Sequence, residues 1–312
     1  LRECLKRQER GNRQSAAEEE EFFMNWQTKT IIHTGLLISC LSAVYSQDSS
    51  NTFPCYKLDG TEIREVHSKI TNQDYELIVN IPYSYKQNPA KHYPVVYFCD
   101  GFYDFPLLSE IYGDEIFDKT IGECFLVGFS YKGKNLDYGK LRMYDYSPTY
   151  MKQDNRTGGA PEFLNVIEKE FIPFIESTYR IDTTFRVLGG SSMGGLFTLY
   201  AMFTKPALFN AYISISPAAG WDNDWLFRVE ETFHQHRSEF PVSLYMTGAE
   251  KEFADRPAFL ESIKSLGAVI QKRHYKNFRF EFRVLDDAYH AGSKPEGYTR
   301  GLKFVFEPLL QK

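Results

Sequence analysis

The chain has 312 residues, 43% of them hydrophobic and 16% aromatic, enough to bury one large core without disulfide stapling. Its formal net charge is −5, with acids and bases interspersed. No basic surface is available to receive a polyanion, so nucleic acid drops out as a partner.

Residues 1–23 are charged, carry the acidic run Glu18 to Glu21 and lack apolar periodicity, which predicts a disordered extension. Met24 then opens a different layout: a polar stretch with Lys29, an apolar stretch from Ile31 to Val44, and small residues up to Ser46. That order is expected of a secretory signal peptide. The apolar run is interrupted by His33 and Thr34 and is shorter than the roughly 20 residues of a membrane span. The expectation is therefore a disordered extension plus signal peptide over 1–46 and a single catalytic domain over 47–312, secreted or periplasmic, with no stable membrane span after cleavage. The alternatives are an uncleaved N-terminal anchor, or lipidation at Cys40, since Leu37-Ile38-Ser39-Cys40 is similar to a bacterial lipobox. Beyond Ser46 remain Cys55, Cys99 and Cys124, an odd number that requires at least one free thiol. Cys99 and Cys124 sit in apolar, strand-like runs and read as buried thiols.

From Tyr75 the chain runs Tyr-Glu-Leu-Ile-Val-Asn-Ile-Pro, a strand closed by Pro82. Pro94 to Cys99 and Cys124 to Phe129 are continuous apolar runs, suited to strands buried on both faces of a parallel sheet. Phe163, Ile167, Phe171, Phe174 and Ile175 recur at helical spacing, with Pro173 marking a break or kink. Strand and helix then alternate: Arg186 to Leu188 with Met193 to Phe203, Ala211 to Ile215 with Trp225 to His236, and Val242 to Met246 with Pro257 to Leu266. A last strand, Phe278 to Leu285, precedes a closing helix from about Tyr298 to Leu310. This alternation predicts an α/β fold, a mostly parallel central sheet with helices on both faces.

Gly190-Ser191-Ser192-Met193-Gly194 fits Gly-x-Ser-x-Gly where a strand ends and a helix begins. A nucleophile on this turn has a strained backbone, so the residues two positions away must be small, and both are glycine. The turn lifts Ser192 above the sheet and offers the Met193 N–H, at a helix N-terminus, to a developing oxyanion. An ordinary glycine-rich turn with a capping serine is the alternative. A serine hydroxyl needs a base within hydrogen-bond reach, and the chain order in this arrangement is serine, acid, histidine. Of the four histidines after Ser192, only His290 lies in a loop after the last strand. The acid is expected after the strand Val242 to Met246, where Glu250 and Glu252 both stand. Glu252, immediately before the apolar Phe253, is favoured, with Glu250 as the alternative. Asp286 and Asp287 are too close to His290 along the chain. The histidines are scattered without ligand spacing, so neither metal nor cofactor is expected.

These residues, with Tyr93 to Tyr97 leading to Asp100-Gly101, Arg142 to Thr149, Gly158-Gly159-Ala160, Gly189 to Leu196, Ser216-Pro217 before Trp221-Asp222, and Arg300 to Phe304, resemble a family of α/β-hydrolases. It includes esterase D, enterochelin-type siderophore esterases, feruloyl and related carbohydrate esterases, and mycolyltransferases. The resemblance runs from about Tyr75 to the C-terminus. It implies a second oxyanion donor at Phe102 or Gly101, and substrate-binding positions over the cleft at Arg142, Asp145, Tyr146 and Trp221. Some siderophore-esterase relatives manage with a Ser-His dyad, and the glutamate spacing here differs from the commoner Gly-x-x-Asp/Glu. Ala218-Ala219-Gly220 also replaces bulkier residues before Trp221.

The function expected is that of a serine esterase: hydrolysis through an acyl-enzyme on a small-molecule or carbohydrate ester, such as a siderophore or sugar-linked ester. Acyl transfer by the same triad, or a non-catalytic surface-binding role, are the alternatives. Nothing in the sequence sets an oligomeric state.

Overall fold

Eight strands form one sheet in the computed structural model, which describes residues 57–310. In chain order they are β1 (Thr61–His67), β2 (Asp74–Asn80), β3 (Tyr93–Phe98), β4 (Phe125–Tyr131), β5 (Ile181–Ser191), β6 (Ala211–Ile215), β7 (Ser243–Lys251) and β8 (Arg279–Tyr289). They lie in the order β1-β2-β4-β3-β5-β6-β7-β8. β2 pairs antiparallel with both β1 and β4, and every pairing from β4 through β8 is parallel. The continuous apolar runs became β3 and β4, buried along nearly their whole length as strands covered on both faces must be. The extension, the signal segment, Cys40 and Cys55 lie outside the described residues. Cys99 and Cys124 are buried thiols.

The helices are α1 (Gly101–Phe117), α2 (Tyr138–Tyr146), α3 (Ala160–Val166), α4 (Ile172–Thr178), α5 (Met193–Thr204), α6 (Trp221–His236), α7 (Ala258–Arg273) and α8 (Lys294–Leu310). Successive residues of β3 alternate between two cores, Val95 and Tyr97 in one, Val96 and Phe98 in the other. α1 and α8 cover the second core with Phe105, Leu108, Tyr112, Tyr298, Leu302 and Phe306. α3 to α7 pack on the first, around Phe163, Ile175, Leu196, Leu226 and Ile263. This is the α/β-hydrolase fold.

Three local differences from the sequence reading have physical causes. A π-helical turn, Ile167–Phe171, joins α3 to α4 without a break, and Pro173, the second residue of α4, follows directly on its wide Ile172 N–H to Ile167 O hydrogen bond. α6 opens with Asp222, Asn223 and Asp224 in left-handed conformations before its regular part from Trp225. β7 runs five residues and β8 four residues past the predicted ends, because they pair as far as Lys251 with Tyr289, with a register shift between Ala249 and Lys251. That extension carries the two glutamates and His290 to the same end of the sheet.

Candidate active site

Ser192 sits between β5 and α5 at φ 59° and ψ −116°, a region non-glycine residues enter only under strain of about 1–3 kcal/mol. Hydrogen bonds hold it there. Its N–H donates to Ile215 O at 2.9 Å, and its carbonyl accepts from the N–H groups of Leu196 (2.9 Å) and Ala218 (3.1 Å). The two glycines of the motif are sterically required. A Cβ on Gly190 would lie 2.5 Å from the Gly194 carbonyl carbon, and one on Gly194 would lie 2.8 Å from Cys99 Cβ. The Met193 N–H opens α5 and so lacks an intrahelical acceptor.

The neighbouring turn is built the same way. β3 lies beside β5, with Phe98 opposite Gly189, so the chain after β3 emerges next to Ser192. Asp100 is left-handed (φ 58°, ψ 36°), and Gly101 packs so closely on β4 that a Cβ would fall 2.6 Å from the Gly128 carbonyl carbon. The Tyr103 and Asp104 N–H groups donate back to Asp100 O, so the N–H groups ahead of them, Gly101 and Phe102, have no acceptor within the helix.

Glu252 and His290 form a pair: Oε2 lies 2.5 Å from Nδ1, and Oε1 accepts the Ala249 N–H at 2.8 Å. Burial alone would raise the Glu252 carboxyl, but the His290 and Ala249 hydrogen bonds, with help from Ser216, outweigh it and leave the pKa below the ordinary carboxylate range. Glu250 is exposed, turned the other way, and accepts the Asp287 N–H at 2.8 Å. The ring of His290 rests against Phe253 (4.2 Å between centroids) and Phe259 (5.3 Å). Both phenylalanines line a cleft of about 730 Å³ that also holds Ser192, Met193, Arg142 and Trp221.

Arg142 lines that cleft but commits two donors to Asp100, Nε to Oδ1 at 2.6 Å and Nη2 to Oδ2 at 2.8 Å. Burial would lower its pKa, yet the Asp100 charge and hydrogen bonds hold it above the usual guanidinium value. Trp221 Nε1 donates to Thr149 Oγ1 at 2.8 Å from the cleft wall.

Two expectations are corrected. Asp145 and Tyr146 do not lie over the cleft, because the insertion is a helix, α2, whose inner face carries both side chains into the protein. Asp145 is buried and accepts from the hydroxyls of Tyr131 (3.0 Å) and Tyr75 (3.3 Å) on β4 and β2. Burial pushes its carboxyl up to about 7 against those two hydrogen bonds. Tyr146 is buried too, with its hydroxyl accepting the Asp100 N–H at 2.9 Å.

The sequence reading missed Phe259 and Arg256 of the cleft wall, and Ser293 beside His290. Arg256 lies over the Phe253 ring at 3.7 Å. The Phe253-to-Pro257 stretch, between acid and helix, was the available signal. Among the described residues no group of three or more His, Cys, Asp or Glu side chains gathers to hold a metal ion, and no helix is long and apolar enough to cross a membrane.

The family model described as "Putative esterase" matches residues 68–289. The chain is 26% identical over 275 residues to the ferri-bacillibactin esterase BesA of Bacillus subtilis, covering 83% of this chain and 94% of that one. Its fold is similar to the BES protein from Bacillus cereus (TM-score 0.73, 24% identity, 81% of this chain and 98% of that one). It is also similar to the siderophore hydrolase EstA from Aspergillus nidulans (TM-score 0.71, 20% identity, 82% and 99%). With a strained serine turn, a carboxylate-bound histidine and a match across most of the sheet, the chain belongs to this esterase family and is a serine esterase.

Proposed function

We propose that the protein hydrolyses carboxylic ester bonds of siderophore-type molecules through an acyl-enzyme, with Ser192 as nucleophile, His290 as general base and Glu252 as the acid of the triad. The observation that carries this reading is the 2.5 Å contact between Glu252 Oε2 and His290 Nδ1. It fixes the proton on Nδ1 and leaves Nε2 as the nitrogen free to take a proton from Ser192. Ser192 Oγ attacks the ester carbonyl carbon as its proton passes to Nε2. The Met193 N–H, with that of Phe102 or Gly101, receives the negative oxygen. The ester oxygen leaves with the proton from His290, and water, deprotonated by the same nitrogen, releases the acid and restores Ser192.

The substrate class rests on the relatives, a ferri-bacillibactin esterase and a siderophore hydrolase among them. Any iron would arrive as the substrate's cargo. The cleft, at about 730 Å³, is within the range of small-molecule sites. The signal-like segment from Met24 to Ser46 supports an exported enzyme, which N-terminal sequencing of the mature protein tests by a start near Gln47. The substrate reading is tested by supplying a siderophore ester, ferric and iron-free, beside acetylated and feruloylated sugars. Cleavage confined to the siderophore ester is expected, and cleavage of the sugar esters alone would contradict it.

A further inference from the structure

α8 begins at Lys294, four residues after His290, and α1 begins at Gly101, three residues before Asp104. The two helices lie side by side in the second core. Between their first turns the Asp104 side chain is only 3% exposed, and it accepts from Lys294 Nζ at 2.6 Å through Oδ1 and from the Tyr298 hydroxyl at 3.3 Å through Oδ2. Lys294 and Tyr298 stand one helical turn apart and so reach the same carboxylate.

The stretch that this pair holds carries the base. His290 is followed by the single 3₁₀ turn Ala291–Ser293. Ala291 and Gly292 are exposed, and a Cβ on Gly292 would meet nothing within 4 Å, so the turn has open space on one side. On the other, Ser293 Oγ donates to the His290 carbonyl at 2.8 Å and lies 3.0 Å from the buried Ser216 Oγ. Close packing of α8 on the sheet starts further along, at Gly297, where a Cβ would fall 3.0 Å from Ile215. Between the turn and that packed part, Lys294 reaches across to α1.

Asp104 is tied in turn to the oxyanion side. Its N–H donates to Asp100 O at 2.9 Å, and Asp100, braced by Arg142, opens the turn that bears the Gly101 and Phe102 N–H groups. Burying a carboxylate against an ammonium costs desolvation that an apolar pair of the same size avoids, so the return on the ion pair lies in the distance and direction it imposes. Resting on the triad reading above, we infer that Lys294 and Asp104 are positioning residues for the reaction: their ion pair fastens the turn that carries His290 to the helix that opens at the oxyanion donors, and so sets the base against the oxyanion site.

The experiment measures kcat, KM and thermal melting for Lys294→Met, Asp104→Asn and the two combined, each also in a His290→Ala background. The combined variant leaves no buried charge unpaired, and Asn keeps an acceptor for the Tyr298 hydroxyl, so it decides the matter even where a single variant folds poorly. It is expected to melt far above the assay temperature and to lose roughly tenfold or more in kcat with KM little changed, since a displacement of about 1 Å at a reacting group costs up to about 10²-fold. In the His290→Ala background, where no base is left to align, the same two substitutions should change the residual kcat by less than about threefold, whereas a merely structural role would lower both enzymes alike. A folded combined variant with wild-type kcat, beside a slow His290→Ala enzyme, would overturn the inference and leave the triad in place. A combined variant that fails to fold would make the pair structural and overturn it too. A His290→Ala enzyme with wild-type kcat would overturn the triad reading and this inference together.

Discussion

Glu250 stands on the extended end of β7 and Glu252 just beyond it, yet only Glu252 meets His290, at 2.5 Å, while Glu250 accepts the Asp287 N–H. The register shift between Ala249 and Lys251 accompanies the separation of their roles. Glu252→Gln is expected to lower kcat by roughly 10²- to 10⁴-fold, because an amide cannot stabilise the imidazolium formed during attack. Glu250→Gln should stay within about twofold of wild type, as an exposed carboxylate contributes little. Steady-state kinetics on an aryl ester checks both.

Arg142 braces Asp100 through two hydrogen bonds, and Asp100 begins the turn that presents the Gly101 and Phe102 N–H groups. Arg142→Lys keeps the charge but loses the two-pronged geometry. It is expected to lower kcat on the order of tenfold or more and to lower the melting temperature, since a buried pair with one partner misfitted costs about 3–5 kcal/mol at the limit of full loss. Kinetics beside thermal melting distinguishes this from a pure binding role, which would raise KM alone.

Asp145 supplies a pH test of opposite sign to an ordinary ion pair. Burial raises its carboxyl to about 7 in the folded protein, from an ordinary value of 3.8. Between those values the folded state holds a proton that the unfolded chain has released, so stability falls as pH rises through that window. Asp145→Asn removes the titration, and its melting temperature should decline less than that of wild type between roughly pH 4 and 7. Melts across that range check the slope. A wild-type melting temperature that climbed as steeply as its variant's would contradict the assignment.

Glu252 behaves in the reverse sense. Its folded pKa lies below the ordinary value of 4.5, so its stabilising contribution is present above that pH and is lost as pH falls through the folded value. Glu252→Gln should therefore be less sensitive than wild type to acid below about pH 4.5 in equilibrium unfolding.

The serine turn and the sheet were legible because their constraints are local: two glycines spaced around Ser192, and apolar runs long enough to be strands. Phe102 and Gly101 came from resemblance, and they follow β3, the strand paired with β5 that leads to Ser192. Glu252 was favoured over Glu250 without being fixed by the sequence, because the choice depends on a register shift against β8, where Ala249 pairs with Leu285 and Lys251 with Tyr289, partners distant in the chain that leave no trace in the loop itself. Asp145 and Tyr146 were misplaced because the inner face of α2 is set by Tyr75 and Tyr131 on other strands. Ser216 stood in the sequence as part of a Ser-Pro pair, but its left-handed backbone and the hydroxyl of Ser293 are tertiary facts.

The most direct test of the central claim is covalent capture of the nucleophile. Intact-mass and peptide-mapping spectrometry after treatment with a fluorophosphonate should find one adduct per chain, on Ser192, and none on a folded Ser192→Ala variant. The adduct should form much more slowly when His290 is replaced by Ala. Labelling of Ser192→Ala at the wild-type rate, or an adduct on another residue of the wild-type protein, would contradict the account.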